Sequence, residues 1–512
     1  MDKKESFHWA DLAADNVIQQ KGDKDSYTVA AGITPSGIIH IGNFREIITV
    51  DLIKRALEKK GKKLRFIYSW DDYDRFRKVP KNIPEEFEKY VGMPIADIPD
   101  PFKCHKSYAE HFEKELEESL PPVGISPEFI MQDEMYKACK YTEGIKKALQ
   151  NKSKIIEILN RYRSEHLLDD WYPINLYCSE CKKDSTKVLQ YDGDYEIKYE
   201  CACGFKEKID FRKKGNVNLK WRVDWPMRWE YEKVDFEPAG KDHYAAGGSR
   251  TTGKEIAEDV YNYNNPTDLI YEWIGLKGGK QFSSSAGNVI TLNDVLEVYE
   301  PEIVRYLFAG TRPNTEFAIS FDTDVLKIYS DYDKLEKIYF GKEEISKEKL
   351  PKQKRIYELS SINLPQEIPF QPSFRHLTML VQIYKGDVEK VLDHYEKNKK
   401  TELRAKLAHN WIQKHAPEEF KFELQTQAKA ELKEQEKQAL RLLTEKLKNN
   451  DYDETTLFEE FYSICKELNL KNTEFFTAAY KTLINKEKGP RLASFILAVG
   501  KKEIIKILET IK

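Results

Sequence analysis

The sequence predicts an α/β protein: a Rossmann-like parallel-sheet domain carrying a cysteine-bearing insertion, followed by an all-α C-terminal region. Three observations predict it. An apolar run, a small-residue turn and a helix-periodic segment follow one another between Tyr27 and Lys60, which is how a βαβ unit begins. Two close cysteine pairs interrupt the chain at 178–203. Beyond about Asp333, apolar residues recur at helical spacing between Lys- and Glu-rich faces.

Bulk properties bound the reading. The 512 residues leave room for two to four domains, roughly. A net charge of −3 gives no global basic field, so any nucleic-acid contact has to use local patches. No apolar run reaches the roughly 18 residues of a membrane span. Met1-Asp2-Lys3-Lys4-Glu5 lacks the apolar core of a signal peptide. The expectation is a soluble, cytoplasmic chain with no membrane partner.

Tyr27 to Ala31 reads as a buried strand and Gly32-Ile33-Thr34-Pro35-Ser36-Gly37 as its turn. The helix after it runs over Phe44 to Lys60, where Ile47, Ile48, Leu52, Ala56 and Leu57 form one face and Gly61 stops it. His40-Ile41-Gly42-Asn43 therefore sits at a helix N-terminus. Free N–H groups, the helix dipole and an imidazole there make a seat for phosphate, against the plainer reading of an ordinary turn with an incidental histidine. Leu64 to Trp70 is the second strand, running into Asp71-Asp72-Tyr73-Asp74. Carboxylates beyond a strand's carboxyl end can meet a cationic substrate or a metal, or form a solvated loop.

From about 81 to 219 the pattern changes to an insertion. Pro94, Pro99 and Pro101 break the chain, and Tyr108–Leu120 and Glu143–Arg163 read as charged helices. Cys178, Cys181, Cys201 and Cys203 flank a hairpin-length insert, which matches a four-thiolate zinc ribbon at about 175–210. Four filled positions would make that zinc structural. Cys104, Cys139 and Cys465 read as packing residues; Cys104-His105 is set aside as a ligand pair because adjacent residues rarely converge on one metal. The sheet pattern returns at Val217–Pro226. A Gly-rich loop with His243 follows, then a strand at Leu269–Ile274, the loop Gly278–Asn288, and a cap at Thr291 and Asp294. A Lys- and Pro-rich linker at Leu350–Pro372 leads to helices such as Gln427–Lys448, Glu454–Leu468 and Ala493–Ile511.

Five segments in this order carry a more specific likeness. They are Gly-x-Thr-Pro-Ser-Gly with His-Ile-Gly-Asn, Trp-Asp-Asp-Tyr-Asp-Arg, Trp-Arg-Val-Asp-Trp-Pro-x-Arg-Trp, Phe-Glu-Pro-Ala-Gly-Lys-Asp-His, and Ser-Ser-Ser-x-Gly-Asn-Val-Ile-Thr. Together they resemble the class I lysyl-tRNA synthetases over the first 320 residues or so. Gly489-Pro490-Arg491 is similar to a motif in the helical anticodon domain of related synthetases.

The resemblance implies ATP-dependent activation of L-lysine, with Mg²⁺ accompanying the nucleotide, and transfer to tRNA(Lys) by a monomer. It implies a catalytic domain over 1–290 bearing the insertion, a stem-contact region over 291–350, and an anticodon-binding domain over 351–512. Pro35, Gly37, His40, Gly42, Asn43, Ser283, Ser284 and Ser285 would meet ATP, with His40, Asn43, Lys280 and Ser284 acting in catalysis. Gly32, Thr34, His243, Tyr271 and a tryptophan at 221 or 225 would surround the lysine. Chemistry adds Asp71, Asp72 and Asp224 as carboxylates for its ammonium.

Two departures from the wider class matter. Asn43 stands at the fourth position of the "HIGH" signature, and the serine run has no lysine where the "KMSKS" loop carries one. Lys280 or Lys277 could supply that charge, and Lys280 is the expected substitute. Two alternatives stay open: a class I synthetase of another specificity, and a tRNA-binding paralogue without catalysis.

Overall fold

The computed structural model describes residues 8–278, 289–395 and 397–511. The chain divides into two compact units, one spanning 1–296, 301–319 and 341–364, the other 297–300, 320–340 and 365–512. The 291–350 stretch, expected as a stem-contact region, is thus shared between them.

The first unit opens with helix α1 (Trp9–Lys21), strand β1 (Ser26–Ile33), helix α2 (Ile41–Lys59) and strand β2 (Lys63–Trp70). β1 and β2 are parallel, in register from Ser26–Lys63 to Ile33–Trp70, and β3 (Glu128–Met131) lies parallel on the far side of β2. On the other side of β1, Val29 bridges Phe236 and Phe236 bridges Thr267, again in parallel. The spatial order β3-β2-β1 followed by the 236 and 267 segments is that of a doubly wound sheet, whose ligands bind beyond the strand ends. Helix α2 starts three residues before Phe44, because His40 is an extended N-cap and Asn43 accepts its N–H. Gly61, at φ +81°, follows the last turn as expected.

The insertion holds α3 (Tyr108–Ser119), α4 (Gln132–Lys137), α5 (Thr142–Gln150) and α6 (Lys152–Asn160). The single helix expected over 143–163 is therefore two, parted at Asn151, whose φ of −101° and ψ of 21° leave the helical region. Strand β4 (Ile174–Leu176) precedes the antiparallel ribbon β5 (Thr186–Tyr191), β6 (Glu196–Cys201) and β7 (Lys206–Asp210). β8 (Val217–Leu219) returns to pair antiparallel with β4.

The sheet pattern expected to continue to Pro226 stops at Leu219. Helix α7 (Trp221–Glu232) takes over with Pro226 inside it. The deciding period is four: Trp221, Trp225 and Trp229 recur at helical spacing, with ring centroids 5.0 Å apart at each step. Strands β9 (Ala239–Gly240) and β10 (Ile270–Tyr271) pair in parallel, with helix α8 (Ser249–Asp259) between them in sequence. The strand expected over 269–274 is also two, since β11 (Ile274–Leu276) leaves β10's partner to pair with β12 (Phe317–Ile319). The expected linker at 350–372 begins as a helix, Leu350–Ser360, with Pro351 in its first turn, where a missing N–H costs nothing. It packs on helix Pro301–Ala309, whose fully buried Arg305 donates to the carbonyls of Leu359 and Val123 and to Asp51.

The second unit is helical. Its core includes the buried guanidinium of Arg404, which meets Glu300, Asp333 at 2.9 Å and the carbonyl of Pro372. The helix expected from Gln427 starts at Glu434, where the Glu436 side chain caps Lys433 N–H. The one expected over 493–511 is two, Leu492–Val499 and Lys501–Leu508, parted by Gly500 at φ +92°. Among the described residues no helix is long and apolar enough to cross a membrane.

Candidate active site

Beyond the carboxyl ends of β1 and β2 lies a cavity walled by the stacked Trp221 and Trp225, with Gly32, Asp71 and His243 on its lining. Sequence reasoning left the two tryptophans as alternatives; both line it. Gly32 is demanded by packing as well as by the cavity. A Cβ there would lie 2.7 Å from the Ser69 carbonyl oxygen of the neighbouring strand. His243 shares a 2.6 Å hydrogen bond with Ser249 at the start of α8 and meets Trp225 edge-on. Burial lowers its pKa, so the imidazole is neutral at neutral pH.

Four other expected pocket residues stand behind this lining rather than on it. Thr34 donates to Asp74, whose carboxyl is pushed up to about 7 by burial and by Asp71 and Asp224. Asp72 accepts the N–H of Asp133 at the start of α4. Asp224 is buried against Tyr136 and lies 3.0 Å from Arg228. Tyr271 donates to Glu46 at 2.7 Å.

The cavity's charges are largely ones sequence reasoning missed. Glu46, Arg228 and Glu237 line it, Arg228 and Glu237 buried and Glu46 half-buried. Arg228 donates to Asp71 at 2.6 Å, which neutralises that carboxylate. Glu46 accepts from Gly32 N–H and Tyr271, yet burial, with Glu237 and Asp71 nearby, pushes its carboxyl up to about 8. Glu237 accepts from the Trp229 indole at 2.6 Å, and its carboxyl is likewise raised by burial. Arg228 and Glu237 fall inside the quoted motifs, so the signal was present. Glu46 sits one turn into α2 among apolar residues, and only the packing of that helix reveals it.

The helix N-terminus expected to seat phosphate is the start of α2, with His40 as its N-cap. Burial lowers the His40 pKa, which keeps the ring neutral, a hydrogen-bonding rather than a charged group. A Cβ on Gly42 would come within 2.8 Å of that ring, so glycine lets the imidazole lie back over the helix end. Asn43 uses its carbonyl oxygen on His40 N–H and keeps its amide N–H₂ as donor. Pro35 is buried and Ser36 exposed; a Cβ on Gly37 would meet only Pro80, at 3.9 Å. Arg75, Arg77 and Lys78 line a neighbouring cavity with Thr34 and Ser36, positive charge that the sequence reading did not use. Lys280, Ser283, Ser284 and Ser285 lie outside the described residues. The chain resumes beside the seat, with Ile290 accepting Ile41 N–H at 2.7 Å.

Two side-chain clusters have metal-ligand composition. The ligand atoms of Cys178, Cys181, Cys201 and Cys203 all lie within 4.8 Å of one another. Both knuckles turn through left-handed residues, Lys182 at φ +64° and Gly204 at φ +92°. Backbone N–H groups of Lys183, Cys203 and Phe205 are aimed at Cys181, Cys201 and Cys203 respectively, a donor set that suits thiolates. The second cluster joins Asp100, Cys104, His105 and His111 at the same separation. That corrects the sequence reading. Cys104 is exposed rather than packed, and adjacent Cys104 and His105 do converge.

In the second unit, Gly489-Pro490-Arg491 rims a large cavity of about 800 Å³ that Arg375, Lys421 and Lys486 also line. A Cβ on Gly489 would lie 2.7 Å from Tyr480, whose hydroxyl donates to the Pro490 carbonyl.

A helix N-terminus bearing a neutral histidine stands beside a tryptophan-walled acidic cavity, and a basic concavity lies in a helical unit. The family described as class I tRNA synthetases (K) matches residues 7–363, and an anticodon binding domain matches 386–511. The chain belongs to the class I tRNA synthetases, in the K family. Its relatives include a lysine–tRNA ligase of Borreliella burgdorferi, 49% identical over 96% of this chain and 97% of that one. Another, of Treponema pallidum, is 46% identical over 98% of each chain. A third, of Pyrococcus horikoshii, is 42% identical over 98% of this chain and 99% of that one.

Proposed function

We propose that the chain is a lysine–tRNA ligase. The observation that carries this reading is the cavity at the end of β1. Its tryptophan walls suit a long methylene stem, and its buried carboxylates suit a terminal ammonium. Asp71 is already neutralised by Arg228, so Glu46 and Glu237 are the charges left for that ammonium.

In the first half-reaction a carboxylate oxygen of lysine attacks the α-phosphorus of ATP and diphosphate leaves, giving lysyl-adenylate. In the second, a hydroxyl of the tRNA's terminal adenosine attacks the lysyl carbonyl and AMP leaves. Neither step needs covalent help from the protein, so positioning and charge neutralisation carry the rate. His40, the N–H of Gly42 and the side-chain amide of Asn43 hold the phosphates, and Pro35 and Gly37 leave room for the nucleoside. Ser283, Ser284 and Ser285 donate to the leaving diphosphate, and Lys280 adds the charge the serine run lacks. The hydrogen bond from Ile41 to Ile290 supports this, because it anchors that loop's end beside His40. Mg²⁺ arrives with ATP as part of the substrate.

Cys178, Cys181, Cys201 and Cys203 would hold one structural zinc. Residues 1–290 form the catalytic domain, 291–350 contact the tRNA stem, and 351–512 read the anticodon in the basic concavity rimmed by Arg491. The enzyme works as a cytoplasmic monomer. The test is amino-acid-dependent ATP consumption with all twenty amino acids, with and without tRNA. Signal with lysine alone supports the reading; signal with a different amino acid, or none, refutes it.

A further inference from the structure

Given the ligase reading, on which this rests, we propose that the basic cavity beyond the end of β2 binds backbone phosphates of the tRNA's single-stranded 3′ end. Arg77 and Lys78 are its contacts. The cavity measures about 230 Å³, and Thr34, Ser36, Phe76 and Pro80 line it together with these two cations. From Arg75 to Pro84 the chain carries four cations, Arg75, Arg77, Lys78 and Lys81, and no carboxylate. In a protein of net charge −3 that is a local basic patch, the kind a nucleic-acid contact needs here.

The loop is pinned so that these charges face outward. Phe76 is buried, its ring edge-on to Tyr108 at 5.2 Å and its N–H donated to the Met93 carbonyl at 2.8 Å. With that ring in the core, Arg75 and Arg77 on either side of it stay exposed. Arg75 is spent on Asp184, 3.1 Å away beside the first cysteine knuckle. Arg77 and Lys78 make no ion pair among the described residues. Asp74 is the one carboxylate on the lining, and it already accepts from Thr34 at 3.1 Å. Exposed Lys and Arg side chains are most often plain solvated surface. These two differ in sharing one cavity with the turn that follows β1.

ATP offers the same phosphate chemistry, but its seat lies elsewhere: His40, Gly42 and Asn43 are not on this lining. Thr34 and Ser36 belong to the turn that joins the end of β1, where Gly32 lines the lysine cavity, to the start of α2. The basic cavity therefore opens beside the place where lysine meets the α-phosphate, and the terminal adenosine has to bring its hydroxyl to that place. A strand reaching it trails its phosphates outward, where Arg77 and Lys78 neutralise them with release of counterions. Such contacts position the strand without reading its sequence.

The experiment compares the full-length chain with its Arg77→Ala/Lys78→Ala double variant, using tRNA(Lys) transcripts with the single-stranded 3′ end intact and removed. Binding of the intact transcript should weaken about 10- to 30-fold at about 0.1 M salt in the double variant. Its log–log salt slope should become shallower by about 1.4, at roughly 0.7 for each single-strand phosphate. Removing the 3′ end should cost the unaltered chain a similar factor and the double variant little, because both changes delete one interaction. Lysine-dependent exchange of diphosphate into ATP, measured without tRNA, should keep its rate and its KM for ATP. Additive losses from variant and truncation, or a salt slope that does not move, overturn the proposal. A raised KM for ATP assigns the two cations to the nucleotide and overturns it as well. Exchange by the unaltered chain is read first: its absence sinks the ligase reading, and this site's role with it, independently of the binding data.

Discussion

Lysine binding should expel a proton, and Glu46 should be its source. The Glu46 carboxyl is pushed up to about 8 by burial and by Glu237 and Asp71. At pH 7 it is then roughly nine-tenths protonated in the empty site. An ammonium seated against it favours the ionised form, so each lysine bound at pH 7 releases about 0.9 proton. Ionising the acid costs about 1.4 kcal/mol for each pH unit below its pKa. Affinity for lysine should therefore rise about tenfold per unit from pH 6 to 8 and level off above, the sign expected when the ligand prefers the deprotonated site. Calorimetry in two buffers of different ionisation enthalpy counts the proton. Glu46→Gln should abolish the release and weaken lysine about 10- to 100-fold, the worth of a hydrogen bond to a charged group. Binding without proton release at pH 7, or release undiminished in Glu46→Gln, would refute the reasoning and move the counter-charge to Glu237.

Three further outcomes follow from the same geometry. Arg228→Met leaves Asp71 and Asp224 buried without their cation, and should cost about 3–5 kcal/mol in urea unfolding at pH 7. The loss should shrink at pH 5, because the Asp224 carboxyl, already raised to about 6, takes up a proton there; an equal loss at both pH values would count against a charge origin. Gly32→Ala puts a methyl 2.7 Å from the Ser69 carbonyl and should cost about 1–3 kcal/mol while raising the KM for lysine; an unchanged melting temperature would show that β1 and β2 part freely. Lys280→Ala should slow lysine activation about 100-fold without changing lysine affinity, measured by single-turnover adenylate formation; an unchanged rate would take the role from Lys280.

What could be read from the chain alone is what depends on near neighbours. β1, its turn and α2 were legible because their period changes from strand to helix at glycines, and Gly61 marks the stop. Reading on through Pro226 as sheet failed because the alternation of Val217 and Leu219 is real, while the four-residue recurrence of Trp221, Trp225 and Trp229 starts just after it. Cys104 and His105 were dismissed on adjacency, a rule that assumes extended backbone; the left-handed Lys103 and the carboxylate of Asp100 bend that loop. The cavity's electrostatics lie beyond any such rule. Asp71 and Arg228 are 157 residues apart, and Glu46 and Tyr271 are 225 apart. Nothing local says that Asp71 will be neutralised while Glu46 is not. Three aspartates within four residues therefore mark where charge gathers, without saying which carboxylate stays unpaired. In this fold the long-range cation silences the conspicuous aspartate, and the charge that can answer a lysine side chain falls to a glutamate that looks, in sequence, like any residue on a helix.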